Sequence, residues 1–189
     1  MNLPNKLTIF RIVLIPVFLV FININTEIAV LGALITFILA SITDQLDGYI
    51  ARKYNLITDF GKFMDPLADK LLVSAAFISF IDLNLVNSVA VIIIISREFI
   101  ITGIRLVLAS KNGKVVAANT YGKIKTVFQI ISIIFILLEL YLTKVHTSVN
   151  FINYIKLTAD VTFYICVFLT ILSGWDYINK NIKGLKEIM

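Results

Sequence analysis

The stretch that decides the fold reads Asp44-Gln-Leu-Asp47-Gly48-Tyr-Ile-Ala51-Arg52, then eight residues, then Gly61-Lys-Phe-Met-Asp65-Pro-Leu-Ala-Asp69. Its four carboxylates form two pairs, spaced three and four residues apart, and long apolar segments lie on both sides. Acidic side chains are costly within a bilayer and need a positive partner. A divalent metal ion suits such a group of carboxylates, and bound metal serves chemistry on anionic substrates.

The composition predicts an all-α, polytopic membrane protein. The chain has 189 residues, of which 59% are hydrophobic, and a mean hydropathy of +0.93, whereas soluble domains rarely exceed about half apolar. We expect six transmembrane helices, each near the ~20 residues that cross the hydrocarbon. They are placed at 8–24, 28–51, 62–81, 87–109, 122–143 and 152–176. No linker or repeat divides the chain, so residues 1–189 are expected to form a single membrane domain.

The basic residues predict the orientation of the helices. Lysines and arginines lie near the N-terminus, between helices 2 and 3, between helices 4 and 5, and in the tail, while the alternate loops hold little beyond Lys144. The positive-inside rule therefore places both termini and the aspartate run on the cytoplasmic side of the cell membrane. The net charge of +5 also favours contact with anionic membrane lipids, and no nucleic-acid partner is expected.

Helical spacing predicts that the carboxylates line two stripes. At about 100° per residue, Asp44 and Asp47 share a narrow stripe with Gly48 and Ala51. Gly61, Asp65 and Asp69 form a second stripe at the start of helix 3, where Pro66 must lie in the first turns or bend the helix. Two antiparallel helices joined by a tight loop would bring these stripes face to face around a cavity.

The donor type predicts the metal. Carboxylate oxygens suit Mg²⁺ or Mn²⁺, and the run holds no histidine or cysteine that would favour zinc or copper. Two ions could clamp a pyrophosphate, and a carboxylate free of metal could act as a general base. The alternative is that the aspartates cap helices or pair with nearby cations, namely Arg52, Lys53, Lys62 and Lys70.

The spacing of the residues between Asp44 and Asp69 resembles the signature of a known family. Asp-x2-Asp-Gly-x2-Ala-Arg-x8-Gly-x3-Asp-x3-Asp is similar to the signature of the CDP-alcohol phosphotransferases, and every fixed position is present. The segments Asp59–Lys70, Ser96–Arg105, Ala118–Thr126, Pro4–Arg11 and Leu169–Tyr177 are similar to the branch whose acceptor is glycerol 3-phosphate. The resemblance covers nearly the whole chain.

The resemblance implies a six-helix homodimer with a cavity that opens to the cytoplasm. It implies that Asp44, Asp47 and Asp65 bind two divalent ions, Mg²⁺ or Mn²⁺, that Asp69 shares one ion, and that Asp69 is the general base. The CDP group would lie along Asp44 and Asp47 and four further residues, Gly48, Ala51, Arg52 and Gly61. The implied reaction transfers the phosphatidyl group of CDP-diacylglycerol to the 1-hydroxyl of sn-glycerol 3-phosphate and releases CMP.

A phosphorylated acceptor needs cations besides the metal. Arg97 and Arg105 lie eight residues apart in helix 4, and an arginine within a membrane helix normally faces a wet or protein-lined cavity. Lys123 and Lys125 at the start of helix 5 could complete this acceptor-phosphate site. Pairing of Arg97 with Glu98 or Glu139 is the alternative, and the lysines could simply orient the protein.

Three further interpretations stay open. Asn5, Thr8 and Arg11 resemble an N-terminal element of the family, although capping and interfacial anchoring explain them almost as well. Another acceptor, such as inositol phosphate or serine, is compatible with the same signature. A metal or ion transporter would also use an acidic cluster, but such proteins often show internal repeats or broken helices near the midplane, whereas here the acids are expected at one membrane face and no repeat appears.

Overall fold

The computed structural model describes residues 2–24, 26–54, 59–112 and 120–186. These residues form six α-helices and no strand, which confirms the all-α fold. In chain order the helices are α1 (Leu3–Asn23), α2 (Glu27–Lys53), α3 (Asp59–Asp82), α4 (Ser88–Asn112), α5 (Thr120–Lys144) and α6 (Val149–Lys186).

Local chemistry explains most of the helix ends. Pro4 lies in the first turn of α1, where its missing N–H leaves no hydrogen bond unmade, so α1 begins five residues earlier than the sequence predicts. Thr26 caps α2 by accepting a hydrogen bond from the Ala29 N–H at 3.3 Å. The Asn87 side chain caps α4 by accepting from the Val89 N–H at 2.9 Å. Asn84, between α3 and α4, has a positive φ of 55°, a conformation that asparagine tolerates well.

Four helices in the described part of the chain are long and apolar enough to cross a membrane. These candidate spans are Leu3–Asn23, Glu27–Ile50, Gly122–Lys144 and Val149–Asn181, whereas the sequence predicts six. The helices that fall short are α3 and α4, because both carry charged residues of the candidate site along their length. Several apolar helices therefore indicate a membrane protein, and the prediction of six spans stays a prediction.

Aromatic residues form the centre of the helix bundle. Phe18 of α1 packs on Phe37 of α2 with ring centroids 6.2 Å apart, and Phe77 of α3 packs on Phe163 of α6 at 5.7 Å. Ile94 of α4 is buried in the same cluster. The outward faces are also apolar, with large hydrophobic side chains exposed on every helix, as expected of a surface that contacts lipid.

The first helix packs against both helices that carry the aspartate run. Contacts join α1 to α2 and to α3, and they are more extensive than those between α2 and α3 themselves. One stripe of α1 is buried, beginning with the polar residues Asn5, Thr8 and Arg11 and ending with Phe18 and Ile22. The polar start of α1 therefore lies against both aspartate stripes.

Candidate active site

The two aspartates of α2 share a face but differ in exposure. Asp47 is buried at 2% exposure, whereas the side chain of Asp44 is 36% exposed. Gly48 follows on the same face and is partly buried, and Gly61 at the start of α3 is buried. The backbones of Ala51 and Arg52 belong to α2, and their side chains lie outside the described part of the structure. The predicted stripe therefore forms one wall of a site that opens at Asp44.

The two aspartates of α3 complete an acidic group. Asp65 and Asp69 are both partly buried, and Pro66 lies about two turns into the helix. The charges of Asp69, Asp47 and Asp65 all act on the Asp44 carboxylate. The structure thus brings the four aspartates of the run within electrostatic range of one another across the two helices.

Arg11 of α1 lies between the two aspartates of α2. The guanidinium is completely buried; its Nη1 atom lies 2.6 Å from Asp44 Oδ1, and its Nη2 donates a hydrogen bond to Asp47 Oδ2. A buried carboxylate is tolerated only when a positive charge or hydrogen bonds compensate it. Arg11 of α1 therefore supplies a compensating charge, whereas the sequence analysis considered only metal ions and cations within or next to the aspartate run.

Thr8, one turn before Arg11, contacts Asp65 of the second aspartate stripe. Its Oγ1 atom lies 2.5 Å from Asp65 Oδ1 and donates a hydrogen bond to it. Thr8 and Arg11 are fully buried and Asn5 nearly so, which favours a role in the site over interfacial anchoring. Their spacing in the sequence already places these three polar residues on the helix face that continues to Phe18. Polar side chains on a buried face need hydrogen-bond partners, so this pattern could have indicated their contacts with the aspartates.

The donor set matches a hard divalent cation in type and charge. Four carboxylates and one guanidinium leave a net charge of about −3 at neutral pH, and oxygen donors are those that Mg²⁺ prefers. Among the described residues, which include all four aspartates, no group of three or more histidine, cysteine, aspartate or glutamate side chains is arranged to hold a metal ion. In this arrangement Arg11 and Thr8 occupy oxygen atoms of Asp44, Asp47 and Asp65.

A group of cations lies near Asp69. The charges of Arg97, Arg105 and Asp69 act on Lys70, and those of Arg97, Lys70 and Asp69 act on Lys125. Lys70, directly after the last aspartate, was considered in the sequence only as a pairing partner for the acids. The structure brings Arg97, Arg105 and Lys125 together as predicted, adds Lys70, and leaves Lys123 exposed on another face of α5.

One glutamate lies among these cations. Glu98 forms a buried ion pair with Lys125, and its Oε1 atom lies 3.7 Å from Arg97 Nη1. The expected alternative of an Arg97–Glu98 pair is thus present only at long range, because Lys125 is the nearer partner. A single carboxylate cannot neutralise both Lys125 and Arg97, and Arg105 adds a further positive charge beside Arg97.

A small cavity lies beside Asp69 and Lys70. Residues of α3, α4 and α5 line it, with Asp69 and Lys70 on one side, Glu98 on another, and Ser74, Thr126 and Gln129 as further polar lining residues. Among the four aspartates of the run, Asp69 is the one that lines this cavity, and its charge interacts with Asp44, Lys70 and Lys125.

Comparison with known proteins identifies the family. The family model of CDP-alcohol phosphatidyltransferases matches residues 1–174. The chain belongs to this family. The resemblance drawn from the aspartate run is therefore confirmed, and the match extends from α1 into α6.

Individual relatives of this family are similar over nearly their whole length. A Bacillus subtilis protein named CDP-diacylglycerol–glycerol-3-phosphate 3-phosphatidyltransferase is 48% identical, over 98% of this chain and 97% of the relative. A Rickettsia bellii protein of the same name is 42% identical over 93% of each chain. A Mycobacterium tuberculosis protein named as a probable phosphatidylglycerophosphate synthase is 32% identical over 99% of this chain and 85% of the relative.

Proposed function

We propose that this chain transfers the phosphatidyl group of CDP-diacylglycerol to the 1-hydroxyl of sn-glycerol 3-phosphate, giving phosphatidylglycerophosphate and CMP. The observation that carries the proposal is the position of Asp69 near both the other aspartates and the cations. Its charge interacts with Asp44, Lys70 and Lys125, and its side chain lines a small cavity together with Lys70 and Glu98. A base at this position can reach a hydroxyl whose own phosphate is bound by the cations. The names of the relatives support the same reaction.

The donor substrate is proposed to bind at the acidic group. Asp44, Asp47, Asp65 and Asp69 would hold two divalent ions, Mg²⁺ or Mn²⁺, and the CDP group would lie along Gly48, Ala51, Arg52 and Gly61. Bound metal would neutralise the diphosphate and make CMP a better leaving group. Gly48 is the smallest residue on the stripe beside Asp47, so the backbone of α2 can be approached closely there.

Arg11 and Thr8 are proposed to hold the aspartates in place. Arg11 bridges Asp44 and Asp47, which reduces the repulsion between two carboxylates on one face. Thr8 fixes the orientation of Asp65 through its hydroxyl. Because α1 contacts both α2 and α3, these two side chains set the separation of the aspartate stripes before substrate binds.

Asp69 is proposed as the general base of a single displacement. Its carboxylate takes the proton of the acceptor hydroxyl as that oxygen attacks the β-phosphorus of the CDP-lipid, the phosphorus that carries the diacylglycerol. The bond to the CMP oxygen breaks, and the electron pair leaves with CMP. No covalent enzyme intermediate is needed, and the aspartate run offers no serine, cysteine or histidine nucleophile.

The acceptor phosphate is proposed to bind Arg97, Arg105 and Lys125, with Lys70 as a further cation. Each arginine guanidinium can donate two parallel hydrogen bonds to a pair of phosphate oxygens, and partial burial strengthens each of these bonds. Lys123 is exposed, so we now assign it only a role in attracting anions from solvent. Ser74, Thr126 and Gln129 of the small cavity can hydrogen-bond the remaining hydroxyl of the acceptor.

The membrane arrangement is part of the proposal. A single domain over residues 1–189 would span the cell membrane six times, with both termini and the active-site cavity on the cytoplasmic side and with membrane lipids around it. The distribution of basic residues supports this topology. The homodimer implied by the family resemblance is also proposed.

The test is labelling with radioactive sn-glycerol 3-phosphate. Purified protein is supplied with CDP-diacylglycerol and Mg²⁺, and the label should enter the lipid fraction with one CMP released for each labelled lipid. Inositol phosphate and serine are run in parallel as acceptors. Labelling from either of these, and not from glycerol 3-phosphate, would overturn the choice of acceptor, and no labelling from any acceptor would overturn the reaction class.

A further inference from the structure

A buried tyrosine hydroxyl lies beside the two arginines of α4. Tyr177 of α6 is only 2% exposed, and the guanidinium carbon of Arg105 lies 5.3 Å from the centre of its ring. The hydroxyl group has no hydrogen-bond partner among the residues that the structure describes. A buried hydroxyl without a partner is unfavourable, so a bound ligand that accepts a hydrogen bond from it would be stabilising.

A glycine on the same face of α6 brings the helix close to the other arginine. A Cβ atom at Gly174 would lie 3.2 Å from Arg97 Cγ and 3.9 Å from its Nε, so a larger residue would displace Arg97. Gly174 and Tyr177 are three residues apart and therefore adjacent on one helix face. The end of α6 thus packs against both arginines of the cation group.

The unpartnered polar atoms near Tyr177 are all hydrogen-bond donors. In the described part of the chain, the Nε atoms of Arg97 and Arg105 are buried and make no hydrogen bond, like the Tyr177 hydroxyl. Arg97 is close enough to Arg105 and to the Tyr177 side chain for electrostatic interaction, so the three groups lie near one another. Three neighbouring donors without partners suit a ligand that offers several acceptors, and a phosphate is such a ligand.

We propose that Tyr177 is a binding residue for the acceptor's phosphate. Its hydroxyl donates a hydrogen bond to a phosphate oxygen, and its ring holds the Arg105 guanidinium in position through a cation–π contact. This inference rests on the proposed function, because it assigns a further residue to the same acceptor site. It also gives α6 a part in acceptor recognition, whereas sequence reasoning placed that recognition in helices 4 and 5.

Two substitutions separate the two contributions of Tyr177. Tyr177→Phe removes the hydroxyl and keeps the ring, and Tyr177→Leu removes both. Tyr164→Phe is the matched control, since Tyr164 lies on the same helix with its side chain 57% exposed. The full-length protein is assayed in lipid nanodiscs, and KM is measured separately for glycerol 3-phosphate and for CDP-diacylglycerol. Inhibition by inorganic phosphate is measured against both substrates.

The Phe variant should raise KM for glycerol 3-phosphate about tenfold or more, the effect of losing one hydrogen bond to a charged group. It should weaken inhibition by inorganic phosphate by a similar factor and leave KM for CDP-diacylglycerol unchanged. The Leu variant should show a larger effect and the Tyr164 control none. If the Phe variant matches the wild type in both readouts, the hydroxyl assignment is wrong, whatever the Leu variant does.

The same experiment distinguishes this inference from the proposed function. A wild-type protein that labels no lipid from glycerol 3-phosphate counts against the proposed function itself. Wild-type activity with an unaltered Phe variant counts against Tyr177 alone. The Phe variant keeps the buried ring, so the test does not depend on whether the Leu variant folds.

Discussion

Replacing Arg11 with methionine should destabilise the fold strongly when no divalent cation is present. Methionine keeps most of the buried volume and removes the charge that lies between Asp44 and Asp47. Asp47 is 2% exposed and would be left as an uncompensated buried carboxylate. Water reaches Asp44, whose side chain is 36% exposed, so its share of the loss should be small.

The magnitude follows from the difference in exposure between the two aspartates. Removing one partner of a buried ion pair typically costs about 3–5 kcal/mol, and Asp47 should account for most of this. The double variant Arg11→Met/Asp47→Asn removes the orphaned charge and should recover at least half of the loss. The matched double variant Arg11→Met/Asp44→Asn removes the exposed carboxylate and should recover less than about 1 kcal/mol.

The single cysteine provides the assay. Cys166 of α6 is completely buried and packs in the same core cluster as Phe18 of α1, so a maleimide reaches its thiol only after the bundle opens. Labelling is followed at pH 7 in EDTA, so that no metal replaces the lost guanidinium. A loss of 3–5 kcal/mol predicts labelling that is faster on the order of a hundredfold to a few thousandfold.

Two results would refute this reasoning. Labelling of Arg11→Met at less than about five times the wild-type rate, equivalent to about 1 kcal/mol, would show that Arg11 does not compensate a buried charge. Equal rescue by Asp47→Asn and Asp44→Asn would show that the exposure of the two carboxylates does not decide the cost.

Three further predictions concern the reaction. Asp69→Asn should abolish lipid labelling while CDP-diacylglycerol still binds in equilibrium dialysis, because the amide cannot act as a base; complete loss of binding would contradict this role. Lys125→Met should raise KM for glycerol 3-phosphate at least about tenfold and Lys123→Met less than threefold, since only Lys125 is buried among the cations, and similar effects of both would contradict the assignment. EDTA should stop lipid labelling and added Mg²⁺ or Mn²⁺ should restore it, whereas labelling that persists in EDTA would contradict the metal proposal.

The fold class and the acidic half of the site could be predicted from local sequence. Apolar runs of membrane length predict helices because the bilayer requires every backbone hydrogen bond to be made internally. The spacing of Asp44 and Asp47, and of Asp65 and Asp69, fixes which carboxylates share a helix face. The prediction of six spans stays untested for α3 and α4, because their charged residues keep both helices below the apolar character expected of a membrane span.

The sequence could also have predicted that the two lysines of the acceptor-phosphate site do not act together. Lys123 and Lys125 are two residues apart, which places them about 200° apart around a helix, so both could not face one phosphate. The structure buries Lys125 beside Glu98 and exposes Lys123. The sequence alone could not say which of the two faces inward, because that depends on how α5 packs against α6 and α2.

The sequence by itself determined an all-helical membrane protein with a CDP-alcohol phosphatidyltransferase signature, because helical periodicity and motif spacing are local properties. Only the tertiary structure placed Arg11 between Asp44 and Asp47, and Tyr177 beneath Arg105. These contacts join residues that are 33 to 72 positions apart along the chain. No periodicity links such positions, and packing of α1 on α2 and of α6 on α4 decides which side chains meet.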